Sequence, residues 1–194
     1  MLRDHKSISD ALDALVRDGS ARLLYDERPS PRPGVITRRI YKYDETLLFT
    51  AENLSDRVVS GTIEMSHAET VGYRYAMFDQ VGRRAFPGNC SIELCAVLES
   101  RSDARSFFAL PVVREFNCTP LGFEDSPLPV LDVERGDDSE HFTVTGSGDL
   151  LIYSNDSDNR FFIDGSEVFP SPVGPALLTV RVPSHGSHPF EVRK

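Results

Sequence analysis

The 194-residue chain has no tryptophan, three methionines and three cysteines. An odd, low cysteine count (Cys90, Cys95, Cys118) argues against the disulfide framework of small secreted domains. None is needed, because a chain of this length buries roughly 70% of its unfolded surface on folding. No apolar run approaches the roughly 20 residues of a membrane span. Residues 1–6 lead straight into an amphipathic pattern with no apolar core of a signal peptide, and Leu2 excludes N-myristoylation. A reducing, cytoplasmic compartment is the simplest reading. Positive charge is also scarce. Twenty-one Lys and Arg against 30 Asp and Glu leave a net charge of −9 and a pI of about 5.0. Such a chain repels phosphate backbones, so no nucleic-acid partner is expected, and an anionic membrane is disfavoured unless calcium intervenes. The one basic cluster, Arg38, Arg39 and Lys42, reads as a solvated strand edge.

Helical periodicity is nearly absent. Residues 7–16 alone show it, with Ile8, Leu12, Leu15 and Val16 in one stripe, Ser7 as a cap and Gly19 where a terminating glycine belongs. A three-turn helix is marginal alone in water. Its stripe must dock on its own sandwich, on a protein partner or on a second copy, which makes Ile8, Leu12 and Leu15 candidate partner contacts. Residues 28–34, RPSPRPG, hold three prolines and read as an extended linker, with PxxP recognition as the other possibility. Residues 1–34 are therefore expected to form a helical arm and linker, and 35–194 an all-β unit.

Strands and turns fill the rest. Strands are expected at 21–25, 35–43, 47–52, 58–64, 72–79, 90–99, 106–113, 141–144, 149–154, 160–164, 176–182 and 189–193. Turn clusters rich in Gly, Pro, Asp and Asn separate them. Short strands at near-regular spacing predict an all-β fold, an antiparallel β-sandwich of C2-like or jelly-roll-like kind with a short N-terminal helix. Residues 117–131, again with three prolines, read as a long excursion that carries function or covers an edge. Residues 47–66, two apolar runs around Asn53-Leu54-Ser55-Asp56, are echoed by residues 150–166 around Asn155-Asp156-Ser157-Asp158. The echo suggests two pseudo-repeats, 35–115 and 132–194, although hairpins of any sandwich draw on the same turn residues. The chain ends as if in or just after a strand, as a piece of a longer protein would.

The segments LLFTAENLSDRVVSGTIEMSHAETVGY and FPGNCSIELCAVLE carry an Asn-x-Ser-Asp turn (Asn53 to Asp56), a Ser-to-Val passage (Ser66 to Val71) and a Pro87-Gly88 turn. In these features residues 40–100 resemble the C2-like β-sandwich that follows the protease core in calpains and calpain-like proteins, and residues 141–194 resemble it loosely. The resemblance implies a regulatory or docking module. It does not extend to the protease, since no cysteine here lies in a Gly-Asp-Cys-Trp context.

Several clusters could carry chemistry. Hard cations want several oxygens from a tight loop. Asn155, Asp156, Asp158 and Asn159, with Asp164 beyond a short strand and Asp137, Asp138 and Glu140 elsewhere, form a candidate calcium set of the C2 kind, or ordinary solvated turns. No other cofactor is expected. Cys90 and Cys95 are five positions apart and would point to opposite faces of one strand. His67, His141, His185 and His188 are the residues a jelly-roll-type enzyme would have to converge. Tyr73, Tyr75 and Met77 alternate on one face of a strand and form either half a core or a protein-binding strip. The reading that follows is a non-catalytic protein-interaction or regulatory module with a protein partner. A calcium-dependent C2-like sensor or membrane-docking domain and a jelly-roll-type enzyme are the alternatives.

Overall fold

The computed structural model describes residues 5–26, 36–53, 58–66, 75–79, 84–88, 91–98, 104–112, 116–126, 128–135 and 141–194. It is an all-β sandwich with one short helix. The first sheet contains β1 (Arg22–Asp26), β2 (Ile36–Tyr43), β3 (Thr46–Asn53), β5 (Tyr75–Asp79), β6 (Arg84–Gly88) and β8 (Ala104–Pro111), in the order β1-β2-β3-β8-β5-β6, antiparallel throughout. β4 (Val59–Ser66) and β7 (Ser91–Leu98) pair with each other in a separate two-stranded sheet. The second large sheet contains β9 (Cys118–Phe123), β10 (Val133–Arg135), β11 (His141–Ser154), β12 (Arg160–Ile163), β13 (Ser166–Val168), β14 (Ser171–Gly174) and β15 (Leu177–Arg193).

The central strands of the first sheet are buried on both faces, which is why they read as unbroken apolar runs. Alternate residues serve two cores. Tyr41, Leu48, Phe78, Phe108 and Leu110 face one side, and Ile40, Leu47, Phe49, Met77 and Phe107 the other. On the first side they meet Leu121, Leu151, Tyr153 and Leu177 of the second sheet. The two echoed strands, β3 and β11, therefore lie on opposite sheets of one sandwich, with Leu48 and Leu151 in a common core. Neither begins a hairpin, contrary to the strand–turn–strand expectation. β3 pairs with β2 and β8 while β4 pairs with β7; β12 pairs with β13 and β15.

The helix α1 (His5–Arg17) starts two residues before the expected Ser7 cap, so Ser7 is inside it. Gly19, at a positive φ of 84°, ends it by donating to Val16 O, and Ala21 N reaches Leu15 O. Its stripe docks on its own sandwich. Ile8 and Leu12, the latter 1% exposed, join the shared core, and Leu15 and Val16 pack against it half-buried. Burial of a leucine contributes about 1.5–3 kcal/mol. Tyr41 Oη donates to Asp13 Oδ1 at 3.1 Å, and Arg39 lies 3.7 Å from Asp13 and 3.3 Å from Asp26. This corrects two expectations. The helix stripe is core and not a partner contact, and the basic cluster lies on an inner strand, with Arg39 tying helix, β1 and β2 together.

The second sheet is organised by β11 and β15, two long strands paired over most of their length. The sequence predicts each as two strands broken by a glycine turn. The glycines bend them instead. The register shifts between Gly146 and Gly148, Gly146 faces Gly186, and Gly146 has a φ of 155°. A Cβ there would come within 2.6 Å of the Phe123 ring, so glycine is required by space as well as conformation. Beyond the bend, Phe142, Val144, Phe190 and Val192 close a core with Phe161, Ile163, Leu150 and Ile152. The proline-rich excursion supplies an edge strand, β9. Pro120 is tolerated there beside a register shift at Leu151/Ile152, where a strand proline belongs. Arg135, half-buried, donates to Pro111 O and, at 3.0 Å, to Thr119 Oγ1, and its guanidinium lies 5.2 Å from the Phe142 ring, joining the two large sheets. Burial pushes it down to about 10, which leaves it charged at neutral pH.

Candidate docking face

The outer face of β11, β15, β12 and β13 carries a row set by the register: His141, Glu191, Phe162 and Glu167. Arg160 and Arg193 oppose each other one row further on the same face. Arg160 forks onto Glu167 at 2.7 and 2.8 Å, and Arg193 onto Glu191 at 2.7 Å through both nitrogens. Their guanidinium carbons lie 5.6 and 4.2 Å from the Phe162 ring centroid. These cations cover the ring, which is only 8% exposed although it stands on the outer face. The ion pairs hold Glu167 below the usual carboxylate range and raise both arginines. His141 Nε2 is 3.8 Å from Glu191. Beside Phe162 lies an open cleft of about 180 Å³, walled by His141, Thr143, Gly165, Pro189 and Glu191.

At the end of this face the chain leaves β13 through Phe169 and Pro170 and enters β14. Val168 packs against the second core, half-buried. Alternation then turns Phe169 outward, where it is 84% exposed, and Val173 follows at 47%. The backbone here is constrained. Pro170 and Pro172 flank the lip, β13 pairs with β12, and β14 pairs with β15, so among the described residues both are edge strands. A second exposed apolar pair, Leu23 and Tyr25, lies on β1, at the end of the first sheet's strand order.

The candidate contacts of the sequence are placed elsewhere. Tyr75 and Met77 are buried in the core of the first sheet, because β5 lies between β8 and β6 with both faces covered. They are therefore core and not a binding strip; Tyr73 lies outside the described residues. Among the described residues the candidate calcium oxygens do not converge. Asp156 accepts the Asp158 amide at 3.0 Å and pairs with Lys194 at 3.1 Å; these bonds hold it below the usual carboxylate range. Asn159 Nδ2 donates to Phe116 O and Ser154 Oγ, and Asn155 N to Asn117 O, which makes the loop a structural turn. Asp164 lies at the far end of β12, roughly 13 Å along the strand. It binds His188 instead, at 2.8 Å. Among the described residues no group of three or more His, Cys, Asp or Glu could hold a metal; Asp137, Asp138 and Glu140 lie outside them. His141 and His188 are on opposite faces of the β11–β15 pair, opposite Glu191 and Val144 respectively, and His185 is exposed, so these three do not form one site. His67 and Cys90 lie outside the described residues. Cys118 is a free thiol that burial pushes up to about 12.

Among the described residues no helix is long and apolar enough to cross a membrane. No family model matches the chain, and no curated protein matches it. Among solved structures the chain is similar to BpGH86A, a β-porphyranase of glycoside hydrolase family 86 from the human gut bacterium Bacteroides plebeius. The match has 14% identity and a TM-score of 0.22, and covers 84% of this chain and 34% of that one. The chain thus spans about a third of that protein, and a likeness at this TM-score carries no functional weight.

Proposed function

We propose that the chain is a non-catalytic interaction module, a C2-like sandwich of the calpain kind without the protease, working as part of a larger cytoplasmic protein or assembly. The single observation that carries the reading is Phe169, a large aromatic 84% exposed at the end of a sheet that buries its other phenylalanines. Interface hot spots are enriched in exposed aromatic anchors beside well-packed surroundings, and an ordered anchor gives up little conformational entropy on binding. The partner is a protein whose apolar pocket takes Phe169 and Val173, with the β13 edge available for strand addition. The net charge of −9 favours a basic or amphipathic segment.

The test compares proteins captured from extract by the wild-type chain and by Phe169→Asp, with thermal melts of both. An exposed position tolerates the change, so equal melting temperatures and loss of a specific captured protein are expected. The same captured set from both chains would sink the proposal.

A further inference from the structure

We propose that His188 is held as an imidazolium whose two N–H groups latch the β12–β13 turn to the bend of β15, and that loss of its proton releases the turn that walls the cleft. The inference is independent of the docking role of Phe169. His188 faces inward, opposite the buried Val144, and is 7% exposed. Its Nδ1 lies 2.8 Å from Asp164 Oδ2 and its Nε2 3.0 Å from Ser184 O. A carboxylate and a backbone carbonyl both accept only, so both bonds exist only if both ring nitrogens carry protons. Either neutral tautomer sets a nitrogen lone pair against an oxygen at 3.0 Å or less.

The two partners belong to different elements. Asp164 and Gly165 form the two-residue turn between β12 and β13, with φ values of 53° and 75°, as a type I′ hairpin requires. Ser184 lies in the bend of β15. The turn is otherwise tied to β15 by the Asp164 N to Pro189 O bond at 3.0 Å, and Gly165 is a wall of the cleft. The charged group facing the ring from the β12–β13 turn is Asp164. From β11 the facing residue is Val144, while His141 on that strand lies beside Glu191. From β15 itself the neighbouring ionisable groups are exposed His185 and Glu191, the latter forked by Arg193. The hydrogen bond to Asp164 is the main cause that raises His188 above 6.5, against the opposing pull of burial. The latch therefore contributes its full stability below 6.5 and loses it as pH rises through the raised folded value.

The experiment is a nitrogen-15 NMR titration of the His188 ring in the full chain, from about pH 5 to about pH 9, where histidine changes charge. Amide exchange of residues 160–168, corrected for intrinsic rates, is followed over the same range. Expected are two protonated ring nitrogens at the acid end, a midpoint above 6.5, and loss of amide protection through that same midpoint. Asp164→Asn should lower the midpoint and flatten the exchange profile. A bare ring nitrogen below the midpoint, or protection that ignores it, overturns the proposal. The wild-type titration decides even if the variant fails to fold.

Discussion

Replacing Leu12 by alanine tests whether the helix belongs to the sandwich. The side chain is 1% exposed and sits in a core shared by α1 and both large sheets. Alanine removes the burial term and leaves a cavity, which for a buried leucine costs about 2–5 kcal/mol. In a chain of this size 1 kcal/mol shifts the melting midpoint by about 2–4 °C. At the middle of the cost range, the loss is about 7–14 °C. The assay is thermal unfolding followed by circular dichroism, with a urea titration to separate stability from the slope, and light scattering to follow the oligomeric state. A surface stripe awaiting a partner would behave differently. Leu12→Ala would then leave the midpoint within about 1 °C of wild type and change association instead. That result would refute the assignment of α1 to the core.

Two further outcomes follow from the same structure. Gly146→Ala should destabilise by about 2–3 kcal/mol, because its Cβ would displace the buried Phe123 ring at 2.6 Å and the backbone φ of 155° disfavours a side chain; equal urea midpoints would contradict this. In a Cys90→Ser, Cys95→Ser double variant, Cys118 should stay unreactive to a thiol reagent near pH 8 until the chain is unfolded, since burial pushes the thiol to about 12; rapid native-state labelling would contradict its burial.

Much of the fold can be read from period and punctuation. Alternation and turn clusters placed the helix and most strands within a few residues, because a strand buried on one or both faces must be apolar at period two or throughout. The departures have physical causes. Pro120 falls in a stretch that reads as a long excursion and Pro87-Gly88 in one that reads as a turn, yet among the described residues β9 and β6 are edge strands, where a missing amide donor is tolerated. Glycines 146, 148 and 186 signalled breaks but act as bends, since pairing partners on both sides carry the strands through. β13 and β14 span three and four residues, too few for a period to show. The candidate site was less legible. Tyr75 and Met77 alternate in either setting, and only the covering of both faces of β5 decides for core. Phe169 lies between the strands expected at 160–164 and 176–182, and its exposure follows from Val168 taking the inward position. Asp164 and His188 are 24 residues apart and meet only because β12 pairs with the end of β15.

The most direct measurement is the affinity of one captured partner for chains altered at each apolar edge, Phe169→Ala on the β13–β14 lip and Leu23→Ala with Tyr25→Ala on β1. The account predicts a loss of at least about tenfold for Phe169→Ala, the scale of an interface hot spot, with the β1 variants near wild type. Unchanged affinity in Phe169→Ala alongside a loss in the β1 variants would contradict it and move the docking face to the β1 edge of the first sheet.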